Sequence, residues 1–167
     1  YNKMDIKEMI SVLSSHNIYI IFIIMFLESL NLTGIPSTII LPAIGILISL
    51  NNLSIIKILL LTIFASILGN IVFYFISYKF GSKIYDYLYN KFPKLQKVFD
   101  KAMNMSNKYG TKICLFGRLI PSIRSWISLV AGIFKVKLRD FLLYSSIGIF
   151  IWDILLILVG YLIPIKY

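Results

Sequence analysis

The chain has 167 residues, 59% of them hydrophobic and only 14% charged, with a formal net charge of +10 and a mean hydropathy of +0.86. A water-soluble domain of this size carries nearer a quarter charged residues, so the composition excludes an ordinary globular protein and points to one integral membrane domain. A single cysteine, Cys114, and a single histidine, His16, exclude an intrachain disulfide and a Cys/His metal cluster; no metal or cofactor is expected.

In chain order, Asp5 to Ser15 places Ile6, Met9, Ile10 and Leu13 at helical spacing, which predicts a short amphipathic helix. His16 follows in a polar patch and reads as interfacial. The apolar run from Ile18 continues through Glu28 without a small-residue cleavage site, so it reads as membrane segment rather than as a cleavable signal. Residues 18–50 are interrupted by Glu28 and by Asn31-Leu32-Thr33-Gly34-Ile35-Pro36-Ser37. An interrupted apolar segment predicts a re-entrant hairpin, whose irregular backbone must face protein or water.

Residues 53–78 are long enough to span a hydrocarbon core of about 30 Å as one helix. Residues 79–112 carry eight lysines against Asp86 and Asp100, interleaved with Tyr85, Tyr87, Tyr89, Phe92, Leu95, Val98 and Phe99. That pattern predicts amphipathic helices on the membrane surface, divided at Pro93. The lysines follow no nucleic-acid module, so no nucleic-acid partner is expected.

The second interrupted segment, residues 113–134, contains Arg118-Leu119-Ile120-Pro121-Ser122-Ile123-Arg124. Each arginine at a bilayer centre costs roughly 2.5 to 3.5 kcal/mol, so the pair marks a site facing protein or water. On a continuous helix, six residues would separate the arginines by about 240° of rotation. A break at Pro121 lets both turn to one cavity. Guanidinium forks and exposed helix ends suit a phosphorylated headgroup. Residues 141–163 form the second span.

The two halves match in order. Ile35-Pro36-Ser37 recurs as Ile120-Pro121-Ser122, Ala43-Ile44-Gly45 is echoed by Ala131-Gly132, and the spacing of Gly69 and Gly81 reappears in Gly148 and Gly160. The expected fold is therefore an all-α membrane protein of two inverted repeats, each a re-entrant hairpin plus a transmembrane helix, with amphipathic connecting helices. One domain covers residues 1–167: repeat 1 about 18–78, connector 79–112, repeat 2 about 113–163. Such paired interruptions point to a transporter's binding site. The basic connector and the Lys135, Lys137, Arg139 turn place the cytoplasmic side, which puts both termini outside.

Glu28 either neutralises an arginine, binds a proton coupled to transport, or forms a structural buried pair. Asp153 is an arginine partner, a proton carrier or a structural hydrogen-bond acceptor. Ser122, Ser37, Thr38 and Ser125 offer hydroxyls to a ligand or cap local backbone. Trp126 and Trp152 read as packing or interface anchors.

Gly117-Arg118-Leu119-Ile120-Pro121-Ser122-Ile123-Arg124 with Ala131-Gly132 is similar to the G-R-F-I-P-G-x-R and A-G pattern of the DedA family, whose shared region is also called the SNARE-associated or VTT domain. Glu28, Ile35-Pro36-Ser37, Gly69, Tyr74, Gly81, Phe141, Gly148, Trp152 and Gly160-Tyr161 extend the resemblance from about Phe26 to Tyr161. It implies a multi-pass protein of the bacterial plasma membrane, not an enzyme, that moves a phosphate-bearing lipid among the membrane lipids, with Glu28, Arg118 and Arg124 as functional residues. Two positions depart: Thr38 and Asn70 stand where many members have acids, which leaves the site more positive and suits a phosphate monoester. Undecaprenyl phosphate or a similar polyprenyl phosphate is the expected substrate, for carrier-lipid recycling. A phosphatidylethanolamine flippase or scramblase and a membrane lipid phosphatase are the alternatives, and a homo-oligomer is compatible with all three.

Overall fold

Two long helices organise the computed structural model, which describes residues 18–51 and 53–163. The expected helix at Asp5 to Ser15 and His16 lie outside the described residues. Chain order gives α1 (Ile18–Ser29), α2 (Ser37–Leu50), α3 (Ile55–Lys91), α4 (Pro93–Tyr109), α5 (Ile113–Phe116), α6 (Pro121–Arg124), α7 (Ile127–Ile133) and α8 (Leu138–Leu162). Short 3-10 turns occupy Gly110–Lys112 and Gly117–Leu119. The described residues are all-helical, without strands.

Only α3 and α8 are long and apolar enough to cross a membrane among the described residues. Their two faces are inverted relative to a soluble protein. Ile56, Leu60 and Phe64 on α3, and Leu143, Ile147, Phe150, Leu155 and Leu158 on α8, form exposed apolar stripes at helical spacing. The buried faces carry small and polar groups instead: Ser66, Gly69, Asn70 and Ser77 on α3, Ser145, Gly148, Asp153 and Gly160 on α8. In water such stripes would aggregate, whereas hydrocarbon solvates them and small residues allow close helix approach.

The sequence reading ends the first span at 78 and lays 79–91 on the surface, but α3 continues without interruption to Lys91. Nothing between Tyr78 and Phe92 breaks a helix, and the restriction that Pro93 imposes on Phe92 supplies the first stop. At about 1.5 Å per residue α3 exceeds a 30 Å core by roughly 25 Å. From Pro93 the amphipathic α4 does form. It turns back against α3, with Phe99 on Tyr85 and Gln96 Nε2 donating to the Tyr89 carbonyl at 2.9 Å.

Helices α3 and α8 run antiparallel. Tyr74 stacks on Phe141 at 4.6 Å, while Ile58, Ala65 and Ile157 share a cluster further along. Helix α1 runs parallel to α3, with Phe22 beside Phe64 and Ser29 against Gly69, and the chain then turns through Asn31 and Gly34, both at positive φ. Returning as α2, it crosses α8, where Gly45 and Gly160 bring the two backbones together. The segment from Ile113 approaches α8 from the opposite end: Cys114 clusters with Phe141, and Arg118 reaches Gly148. It bends at Ile120 and returns as α7 along α3, with Ser128 at Asn70 and Gly132 at Ser77. Each bent segment thus touches both long helices, and the two bends meet near the middle, where Asn31 Nδ2 donates to the Ser125 carbonyl at 2.6 Å.

Candidate functional site

Both arginines are drawn into this meeting point by local breaks in the second segment. A 3-10 turn at Gly117–Leu119 and extended backbone at Ile120 end the helix at the first arginine, and Pro121 restarts it with its missing N–H at a position that needs none. Gly117 and Gly148 let the turn pack closely, the latter against the Arg118 side chain. Arg118 is 2% exposed and Arg124 6%, so neither is solvated and each needs partners.

Those partners differ in kind. Arg118 Nη1 donates to Asn70 Oδ1 at 3.1 Å, and Nη2 to Ser128 Oγ at 3.2 Å. Ser128 Oγ in turn donates to Asn70 Oδ1 at 2.8 Å. Arg124 lies over the Trp152 ring, 5.1 Å from its centroid, a cation–π contact worth about 0.5 to 2 kcal/mol. Arg118 Nε and Arg124 Nη1 are buried without a hydrogen-bond partner.

Glu28 is held by its own bend. Its Oε1 accepts from the Ser37 backbone N–H at 3.1 Å, which caps the N-terminus of α2 with a carboxylate and satisfies one of its free donors. Ser37 therefore enters through its backbone. Thr38 lies at the start of the same helix, where Pro42, lacking an N–H, leaves the Thr38 carbonyl without its usual intrahelical donor. Asp153 is fully buried on α8, and neither carboxylate oxygen makes a hydrogen bond. The Ser122 side chain lies outside what the structure describes.

Two spaces adjoin these groups. A cavity of about 250 Å³ is lined by Glu28, Asn31, Thr33, Gly34, Ile35, Pro36, Ser125 and Trp126. A smaller one of about 10 Å³ is lined by Glu28, Ser29, Asn70, Arg118, Arg124 and Ser125, room for about one water. Glu28 and Ser125 line both. Thr38 lines neither.

Arg118, Arg124 and Glu28 thus line one small space, with Asp153 and Trp152 on α8 beside them. Ser128 and Asn31 were missed as members of the cluster, and Asn70, placed at the site through the resemblance, was not foreseen as a partner of Arg118. The available signal was Ser66, Asn70 and Ser77 on one face of a membrane helix, where small polar residues mark a packed interior. Trp126 and Trp152, expected as packing residues, line the larger cavity and carry Arg124, respectively. Cys114 is fully buried among apolar neighbours, as expected.

The VTT domain family model matches residues 35–162. Protein DedA of Escherichia coli K12 is 31% identical over 150 residues, covering 85% of this chain and 66% of that protein. Undecaprenyl phosphate transporter A of Staphylococcus aureus is 32% identical over 144 residues, covering 84% and 70%, and an alkaline phosphatase-like protein of Lactococcus lactis is 33% identical over 133 residues, covering 75% and 61%. The chain spans just under two thirds of the length of protein DedA. No solved structure gives a significant match. With the family model covering most of its length and the arginine motif inside the match, the chain belongs to the VTT domain, or DedA, family of membrane proteins.

Proposed function

We propose that this protein is a lipid transporter of the bacterial plasma membrane that carries undecaprenyl phosphate, or a similar polyprenyl phosphate, from the outer to the inner leaflet for carrier-lipid recycling. The observation that carries this reading is the pair of buried arginines at a cavity with N–H groups unpartnered. A phosphate has the acceptor geometry for those groups. The name of the Staphylococcus aureus relative favours the same substrate. Arg118 and Arg124 hold the phosphate and Glu28 completes the polar surroundings, with Ser37, Thr38 and Ser122 on the bends beside it and the isoprenoid tail in lipid. Glu28 and Asp153 are the candidates for proton coupling.

The transport reading includes an inverted-repeat fold. Each bend follows one long helix and returns against the other, α1 and α7 along α3, α5 and α2 along α8. We read the two bent segments as re-entrant hairpins of opposite orientation within one multi-pass domain, with the site at the repeat interface. The lysines from 79 to 112 support a cytoplasmic connector.

One observation favours phosphatidylethanolamine as a second substrate: Glu28 lines the larger cavity and offers an ammonium group a partner while phosphate meets the arginines. Hydrolysis is the reading of another class, raised by the Lactococcus relative's name. Among the described residues no three His, Cys, Asp or Glu side chains group as metal ligands. We read the chain as a non-enzyme.

Reconstitution tests all three. Purified protein in liposomes is expected to move a polyprenyl phosphate between leaflets, with folded Arg118→Ala and Arg124→Ala variants defective. Wild-type rates in both variants would show the site to be wrong. Preferential movement of phosphatidylethanolamine would select the second substrate, and release of inorganic phosphate would replace transport by hydrolysis.

A further inference from the structure

The two arginines are not equivalent, and the difference lies in Asn70. Its Oδ1 takes hydrogen bonds from both Arg118 and Ser128, and its Nδ2 donates to the Ser66 carbonyl at 2.7 Å. Arginine only donates and a carbonyl only accepts, so the amide orientation is fixed by its neighbours. Asn70 thereby fixes the Arg118 guanidinium while contributing no charge to it. Arg124 has a ring beneath it and an unpartnered Nη1.

Resting on the transport reading, we infer that Asn70 is the specificity-determining residue of the site: it positions Arg118 through a neutral acceptor, so that the pair retains its charge for a dianionic phosphate monoester and Arg124 makes the first contact. A carboxylate at the same place would hold Arg118 equally well but neutralise it. The other charged groups facing Arg118 are Arg124 from the same bend, Glu28 from α1 and Asp153 from α8. A further negative charge at position 70 would add to these two carboxyl groups and weaken the pull of the pair on an anion.

The test is binding of farnesyl phosphate to the purified protein in detergent, read by tryptophan fluorescence because Trp152 underlies Arg124. The methyl ester of farnesyl phosphate serves as reference, since it stays at one negative charge while the monoester gains its second near pH 6. Wild type is expected to prefer the monoester, with the preference rising roughly tenfold between about pH 5 and 8, equivalent to about 1.4 kcal/mol. Titration of the protein's own groups acts on both ligands, and the part common to both cancels in their ratio.

Asn70→Asp, which keeps Oδ1 but loses the donation to Ser66, is expected to weaken monoester binding roughly tenfold and to flatten the preference. A folded Asn70→Asp protein with wild-type affinity and preference overturns the inference and leaves the transport reading standing. If that variant does not fold, the wild-type comparison decides: a preference that does not rise with pH also overturns it. Equal binding of farnesyl phosphate by wild type and Arg124→Ala removes the phosphate site itself, and this inference with it.

Discussion

Replacing Gly160 by alanine tests whether the crossing of α2 and α8 holds the first bend in place. A Cβ at Gly160 would lie 2.7 Å from the Cα and carbonyl carbon of Pro42 and closer still to its oxygen. Ordinary carbon contacts lie at about 3.5 to 4.0 Å. The obstacle is backbone, so no side chain can swing away, and the helices must separate by about 1 Å. A gap of that order forfeits roughly a quarter to a half of each dispersion contact across the crossing. The buried α2 residues Leu41, Ile44 and Ile48 are among those weakened. Overpacking of this kind costs about 1 to 3 kcal/mol, and the upper half of that range is expected.

Gly45 supplies the internal check. Its own added Cβ would stand 2.8 Å from the Tyr161 nitrogen and 3.0 Å from the Gly160 carbonyl carbon. Once one alanine has parted the helices, the second meets less resistance, so the double variant is expected to lose at least about 1 kcal/mol less than the sum. Gly34→Ala is the contrast, because nothing lies within 4 Å and its φ of +66° alone makes alanine unfavourable, at about 1 to 2 kcal/mol. Its cost should add to that of Gly160→Ala. Unfolding free energies from sodium dodecyl sulfate titration in mixed micelles give all four comparisons. If Gly160→Ala unfolds within about 0.5 kcal/mol of wild type, or if the two crossing glycines prove fully additive, the close approach is wrong.

Three further outcomes follow from side chains at and around the site. Asp153→Asn keeps the shape of the buried side chain but removes a carboxyl group that faces both arginines, so a loss of about 1 kcal/mol or more is expected in the same titration, and a protein at least as stable as wild type would show that the arginines do not depend on it. Ser128→Ala leaves Arg118 Nη2 without its acceptor and should cost about 1 to 3 kcal/mol, so an unchanged midpoint would argue against the Asn70 network. Cys114 is fully buried and should resist maleimide in the folded protein, labelling only after denaturation; rapid labelling in mild detergent would contradict its packing.

Much of the cluster was legible in the sequence because membranes make charge conspicuous. Arg118 and Arg124 stand in apolar sequence around a proline whose local effect is strict, so both the break and the convergence follow from a few residues. The interruption from Asn31 to Ser37 was equally legible. Helix α3 was misread because hydropathy falls after Tyr78 while helix formation does not, and hydropathy locates the edge of an apolar layer rather than the end of a helix. Asn70 and Ser128 were hidden as partners of Arg118 for a different reason. Their bond joins positions 58 residues apart, and a small polar residue on a membrane helix looks the same whether it caps its own backbone or holds a partner's charge.

The same contrast explains how a site can remain charged inside a membrane. Pairing both arginines with carboxylates would repay their desolvation but leave little attraction for an anion. Here Arg118 rests on a neutral amide and a hydroxyl, and Arg124 on an indole ring. These contacts orient the guanidiniums without cancelling them. Folding has already stripped water from the unpartnered N–H groups, so on the proposed reading a phosphate gains charge-assisted hydrogen bonds there, each worth about 1.5 to 3 kcal/mol. The dehydration of the phosphate is the principal opposing term. It grows steeply with charge, so the bonds must be offered together, at a bend where two segments from opposite ends of the fold meet.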